Sequence, residues 1–357
     1  MEKLSKVLLV SLVIAIVGVT LSFYSCSEKA INEKKVGLIL PLSGDLAFVG
    51  EFMKNSILLD STNVTYIIED CQGETRLATM AANKLINTDK VSAVVTALSF
   101  LSESVNPICE KAKIPHYILS FSPVLVEKDN VIQPFISTRF ESEAFVEYIK
   151  QNNYRKVAFL RHQEPDATYG FENIIKPQLE KLGFTVIDIS FNNATIKDFK
   201  PEVLKIKQTA PDLVIIQSLA YNIPNIVSAL KAYNISFPIL GDVNFLDIQD
   251  SQTMDLVEGI PFVGLQSLLS QNYQTYKKKY TEKYKKSPFA LGSFAYDLGH
   301  YLQYIPSNSN IDNILSIINE VKDSSLVNDN TIRFNEGGQE NVACKILTFH
   351  NREIVEF

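Results

Sequence analysis

The sequence predicts an α/β protein made of two similar lobes, each a parallel sheet under helices, and three observations carry that prediction. The first is the run Lys35-Val-Gly-Leu-Ile-Leu-Pro-Leu-Ser-Gly-Asp-Leu-Ala-Phe-Val-Gly-Glu51. Its first half, Val36 to Leu42, is near-continuously apolar and of strand length, the pattern of a strand buried on both faces. Ser43, Gly44 and Asp45 then make a turn, and Val49, Phe52, Met53, Ser56, Ile57 and Leu59 follow at helical spacing. The second observation is an echo about 120 residues later: Val157 to Leu160 is again a short apolar strand, and Asp166-Ala-Thr-Tyr-Gly-Phe-Glu172 parallels Asp45-Leu-Ala-Phe-Val-Gly-Glu51. The third is the alternation of strand and helix up to Gly241, which calls for crossover connections and parallel sheets. A strand that ends in a tight turn and feeds a helix puts that turn at the carboxyl edge of its sheet, where open α/β proteins bind ligands.

Each element has its own justification. Thr65 to Asp70 reads as the second strand, and Glu74 to Asn87 as a helix with Ala78, Ala81, Ala82 and Leu85 on one face. Val91 to Leu98 is the third strand. Leu101, Val105, Ile108 and Ala112 mark the next helix, with Ser99 as its expected N-cap. Pro115 to Phe121 is the fourth strand. A new cycle starts with a strand at Phe135 and a helix to Asn152. Strands at 156–162, 185–191, 212–218 and 237–241 then alternate with helices at 170–182, 198–209 and 223–233, punctuated by Pro165, Pro211 and Pro238. After Gly259 come a strand (260–265), a helix bearing Tyr273, Tyr276, Tyr280 and Tyr284 on one face, helices near 289–304 and 311–321, and two closing strands at 342–349 and 353–357. The lysines around the tyrosine stripe suit the solvated side of an amphipathic helix.

With 357 residues, 46% of them hydrophobic and 21% charged, the chain has room for two packed domains. A formal net charge of −6 argues against a nucleic-acid partner. Four cysteines are too few to staple the fold, and the four histidines lack metal-ligand spacing. No His-Glu-x-x-His, Gly-x-Ser-x-Gly or phosphate-binding glycine loop is present, so no enzyme is expected. Met1 to Cys26 reads as a targeting segment: Lys3 and Lys6 precede an apolar run from Val7 to Tyr24. Ser25-Cys26 resembles a bacterial lipoprotein processing site, although Phe23 and Tyr24 replace the usual leucine and small residue. Lipidation at Cys26, an uncleaved helical anchor and, ranked below both, a freely soluble product are the three readings, and all three leave the body outside the cytoplasmic membrane of a bacterium.

From Lys35 to the C-terminus the chain resembles the extracytoplasmic solute-binding proteins of ABC transporters, of the leucine/isoleucine/valine-binding type. The residues that carry this are Glu69-Asp-Cys-Gln-Gly-Glu-Thr, Ala82-Asn-Lys-Leu-Ile86 and Lys90-Val-Ser-Ala-Val-Val95, with Ile114-Pro115, Ser122-Pro123-x-Leu125, Tyr169-Gly170, Glu258-Gly259, Tyr284, Pro288 and Phe294-Ala-Tyr-Asp297 in family order. The resemblance implies two Rossmann-like lobes joined by a three-crossover hinge, the type I periplasmic binding protein fold. Lobe 1 would be 35–138 plus 265–323, and lobe 2 139–264 plus 324–357. It also implies a small-molecule solute held between the lobes, ABC permease subunits as partners, and no cofactor or metal.

The implied ligand residues are Ser43 and Phe48 in the first turn, Ser99 and Phe100 after the third strand, and Ser120, Phe121 and Ser122 after the fourth. Tyr169, Tyr221 and Asp242 come from the second lobe. Amino-acid binders of the family hold the ligand carboxylate with hydroxyl and backbone N–H groups at these turns, whereas Phe100 and Phe121 stand here where hydroxyls are usual. Those rings either face a more apolar or aromatic solute or plug an unused site. Asp242 is either an amine anchor or a loop cap, and Arg139 either an anion contact or a structural ion pair. Cys71 and Cys109 are expected to be free. The function this supports is membrane-tethered capture of an amino-acid-like or more apolar solute for an ABC transporter. A ligand-sensing receptor component and a ligand-free scaffold are the alternatives.

Overall fold

A computed structural model describes residues 34–193, 195–196, 198–328 and 344–357. The leader and Cys26 lie outside the described residues. Two sheets organise the chain. The first contains β1 (Lys35–Leu40), β2 (Thr65–Asp70), β3 (Ala93–Ala97), β4 (His116–Leu119) and β5 (Val131–Ile132), all parallel, in the order β2-β1-β3-β4-β5. The second contains β6 (Lys156–His162), β7 (Thr185–Phe191), β8 (Leu213–Gln217), β9 (Ile239–Gly241), β10 (Phe262–Leu265), β11 (Cys344–His350) and β12 (Glu353–Glu356). Its parallel part runs β7-β6-β8-β9-β10, the same winding as the first sheet. The last two strands extend it as an antiparallel edge. The echo between the two strand-turn-helix openings therefore marks a repeat of topology.

β1 shows why a continuous apolar run was needed. Val36, Leu38 and Leu40 pack into the core shared with α1 (Ala47–Ile57), while Ile39 packs on the opposite face with α2 (Thr75–Asn87) and α3 (Ser99–Ala112). Ala158 and Leu160 of β6 face the same large core, and Val157 and Phe159 face the helix α4 (Thr138–Gln151) side. With both faces covered, polar alternation would bury unpaired groups.

The chain enters the second lobe between β5 and α4. It returns after β10 into α10 (Gln271–Tyr284) and α11 (Gly292–Tyr304), which pack on α1. β11 follows residues 329–343, which lie outside the described residues. On α10 the tyrosine stripe is buried as its spacing predicts. The Tyr276 hydroxyl bonds Ser56 Oγ at 2.8 Å, and successive rings from Tyr273 to Tyr284 lie 6.0, 6.0 and 4.8 Å apart. The lysines beside it are spent locally, Lys279 on Asp60 and Lys286 on Glu51.

Three local expectations need correction, and one helix is new. Ser99 does not cap α3; Leu98 takes that place with φ +68°, and Ser99 is the first residue inside the helix. The strand expected at Phe135 is instead the pair Val131–Ile132, and the Phe135 ring packs between Phe121 and Phe294. The helix expected from 170 opens at Pro165 as α5 (Pro165–Gly170), because proline suits the first helical position. It continues through a π-turn (Phe171–Ile175) into α6 (Lys176–Lys181). α9 (Ser251–Leu256), unread in the sequence, has a capping signal: Asp250 accepts from Thr253 N at 2.7 Å.

The remaining helices are α7 (Lys200–Thr209), α8 (Ile223–Ala232) and α12 (Ile311–Glu320). Cys71, Cys109 and Cys344 are all free thiols.

Candidate functional site

Strand order decides where a site belongs. In each sheet the winding reverses beside the first strand, between β1 and β3 and between β6 and β8, and the loops leaving those strands frame a crevice at the carboxyl edge. Each of the four strands hands one exposed aromatic ring to that edge. Phe48 follows β1 at 53% exposure, Phe100 follows β3 at 43%, Tyr169 follows β6 at 37% and Tyr221 follows β8 at 60%. Large rings are normally buried, so four exposed ones at equivalent places in two lobes form a pattern.

The two edges meet. Ser99 Oγ, at the start of α3, donates to Asp166 Oδ2 on α5 at 2.7 Å. Thr138 Oγ1 donates to the Phe121 carbonyl at 3.0 Å beside the first crossing. Gly170 lets α5 lie close on α4: a β-carbon there would sit 2.6 Å from Ser142 Oγ and 2.7 Å from Thr138 Cγ2.

The polar residues have particular duties. Ser43 Oγ donates to Asp70 Oδ2 at 2.5 Å, and Asp70 Oδ1 accepts from Leu42 N, Ser43 N and Gln72 N. Burial pushes the Asp70 carboxyl up, but the bonds from Ser43, Gln72 and Leu42 outweigh it and hold the group below the usual range. Asp70 therefore braces the first turn, a role the sequence reading missed although the residue lies in its best-matched stretch. Ser122 Oγ donates to Glu103 Oε1 at 2.7 Å. The Ser120 hydroxyl is buried without a partner among the described residues, while its carbonyl accepts from Gln133 Nε2 at 2.6 Å. Phe121 is half-buried, its ring edge-on to Phe135 at 5.2 Å.

Asp242 is buried, and both oxygens are engaged: Oδ1 by Asn244 N at 3.2 Å, Oδ2 by Ser218 N at 2.9 Å and by Asn244 Nδ2 at 2.7 Å. This is the loop-cap geometry. Glu141, whose Oε1 accepts from Val243 N at 2.9 Å, lies close enough for its charge to add to burial in raising the Asp242 carboxyl. Arg139 pairs with Glu143 at 2.9 Å on the solvent side of α4. Among the described residues no group of His, Cys, Asp and Glu side chains is arranged to hold a metal ion, and no helix is long and apolar enough to cross a membrane.

A family profile described as "Periplasmic binding protein" matches residues 33–303. The leucine-binding protein LivK of Thermotoga maritima superposes with a TM-score of 0.73 at 20% identity, covering 91% of this chain and 97% of its own. A solute-binding protein of an ABC transporter from R. palustris, solved with benzoate, gives 0.75 at 17%, covering 90% and 94%. LivJ of Streptococcus pneumoniae, solved with isoleucine, gives 0.72 at 20%, covering 90% and 97%. Glutamate receptor 1.1 of Arabidopsis thaliana is 27% identical over 161 residues, which is 42% of this chain but only 20% of that protein.

Proposed function

Because the chain belongs to the periplasmic binding protein family, we propose that it captures a small aromatic or otherwise apolar solute between its two lobes and presents it to the permease of an ABC transporter. The observation that carries this reading is the set of rings at Phe48, Phe100, Tyr169 and Tyr221, one from each strand beside a winding reversal. An apolar cleft with a few placed polar groups is the ordinary form of a small-molecule site. The fold-mates solved with isoleucine and with benzoate lend support, since both carry ligands small enough for such a crevice. The lobes in this reading are 35–138 plus 265–323 and 139–264 plus 324–357. The protein works outside the cytoplasmic membrane, tethered at its N-terminus through Cys26 or an uncleaved leader.

Capture is closure of a hinged trap, with Ser99, Ser120 and Ser122 supplying polar contacts and the rings supplying area. Leucine, isoleucine and valine fit poorly, because Phe100 and Phe121 offer no hydrogen bond to a carboxylate. A thermal-shift screen tests the reading, with the three branched amino acids set against aromatic and other apolar solutes. Saturation at 100 times the dissociation constant adds about 2.7 kcal/mol, so a ligand raises the melting temperature by several degrees. A clear shift with leucine and none with aromatics would overturn it. The likeness to a plant receptor segment favours one second reading, a sensing component that reports its ligand to a signalling partner. Permease and ATPase genes beside this one decide for transport, and their absence decides for sensing.

A further inference from the structure

The described cleft is negatively charged where a solute's polar end would sit. Ser99 and Ser122 each have one hydroxyl proton, and both are already committed to carboxylates, Asp166 and Glu103. Glu103 lies one helical turn beyond Ser99 on α3, on the same face. Asp166 Oδ1 is buried and has no partner among the described residues. The same carboxyl edge holds other buried polar atoms with no partner among the described residues: Ser120 Oγ after β4, His162 Nδ1 at the end of β6 and Gln217 Oε1 at the end of β8, in residues 2%, 7% and 1% exposed. Buried polar atoms are nearly always paired, so each of these calls for a partner that the described residues do not supply. Burial pushes the Asp166 carboxyl up to about 6; the Ser99 bond opposes this, while the charges of Glu103 and Glu164 add to it. The basic side chain that reaches α5, Arg161, is engaged with Asp188 and Thr168. The Tyr221 hydroxyl is raised as well, by burial and then by Glu164, so one cleft ring stands within reach of the same charge.

From this juxtaposition of an unpaired carboxylate oxygen, two further carboxylates and four exposed rings, we infer that the cleft takes a protonated amine on an aromatic or apolar body, with Asp166 as its counter-charge, and excludes free carboxylates. The inference rests on the aromatic-solute reading above and adds the sign of the ligand's charge. An ammonium gives Asp166 Oδ1 the donor it lacks, and the rings present their negative faces to the same cation. A carboxylate entering there meets Glu103, Glu164 and Asp166, with the two serine hydroxyls already donated.

The test uses three probes of one shape, phenethylamine, phenethyl alcohol and 3-phenylpropionate, titrated calorimetrically into the full chain in detergent at pH 7.5. The amine is expected to bind at least about tenfold more tightly than the alcohol, and the acid at least about tenfold more weakly. In Asp166→Asn the amine-to-alcohol ratio falls toward one. In Glu147→Gln, which removes an exposed charge paired with Lys150 at the far end of α4, the ratio is unchanged. An acid that binds as tightly as the alcohol, or an amine preference that survives Asp166→Asn, overturns the inference and leaves the aromatic cleft standing. If none of the three probes binds a folded protein, the aromatic reading fails and this inference fails with it.

Discussion

Ser99 and Asp166 belong to different lobes, yet the serine hydroxyl donates to the aspartate carboxylate at 2.7 Å. A net contribution of about 1 kcal/mol for one such bond corresponds to roughly a fivefold bias toward the approached lobes. Ser99→Ala removes the donor and leaves Asp166 facing Glu103 and Glu164 with no relief. The ligand-free variant is therefore expected to show a larger radius of gyration by small-angle scattering than the wild type. Superimposable profiles would mean that the bond holds nothing together.

Gly50 makes a second close approach, within its own lobe. A β-carbon there would fall 1.9 Å from the Pro41 carbonyl oxygen and 2.5 Å from its carbon, so α1 can lie over the end of β1 only with glycine at this place. Gly50→Ala must push helix and strand apart at a cost of about 3 kcal/mol. At roughly 2–4 °C per kcal/mol for domains of this size, a melting temperature lower by about 6–12 °C is expected from circular dichroism. A loss under 2 °C would show that this packing has slack.

These glycines also show how much the sequence disclosed. The parallel between Asp45–Glu51 and Asp166–Glu172 made the lobe repeat visible, and the glycine in each proves to be a point of close approach, Gly50 to the Pro41 backbone and Gly170 to the Thr138 and Ser142 side chains. The strand Lys156–His162 was readable to the residue because burial on both faces leaves no ambiguity of pattern, whereas Thr185–Phe191 is a half-exposed edge strand marked by its β-branched and aromatic residues. Phe100 stood out in the sequence because a phenylalanine in place of a hydroxyl is a change of chemistry, and its ring is 43% exposed.

The duties of Asp70 and Asp166 were not legible. Both depend on contacts between segments far apart in the chain, 27 and 67 residues for the bonds to Ser43 and Ser99. Leu98 carries no signal either, for a leucine at φ +68° is held there by its surroundings and not by its own preference.

His116 gives a pH-dependent test of the first lobe. The ring is fully buried between Thr96 Oγ1 at 2.8 Å and Asn106 Oδ1 at 3.0 Å, and burial lowers its pKa to about 3. The unfolded ring takes a proton near 6.5 and the folded one does not, so this group's contribution is fully present above pH 6.5 and is lost as pH falls from there toward 3. His116→Gln should cost about 1–3 kcal/mol at pH 7.5 through imperfect pairing of Thr96 and Asn106. It has no proton to gain, so the gap to wild type in urea denaturation narrows at pH 4.5. Curves that keep the same separation at both pH values would refute a neutral, buried imidazole.

Anchoring rests on Cys26, beyond the described residues. Labelled palmitate is expected in the wild-type protein and not in Cys26→Ser. If neither is labelled and both remain in the membrane fraction, the leader itself is the anchor.

The rings give the last prediction. Phe100 and Tyr221 are 43% and 60% exposed and lie in different lobes, so shortening either to alanine leaves little unfilled space behind. Stability should change by less than about 0.5 kcal/mol, the usual limit for surface substitutions. Binding is another matter, because a ring that closes over an aromatic solute contributes about 0.5–1.5 kcal/mol beyond its buried area. Phe100→Ala and Tyr221→Ala are each expected to weaken an aromatic probe about tenfold while leaving the ligand-free melting temperature within a degree or two. A cleft plugged by its own rings behaves in the opposite way: truncation opens space, so affinity for small apolar solutes rises. Titrating one aromatic probe into wild type and both variants separates the two outcomes, since only a ligand-facing ring makes both variants weaker.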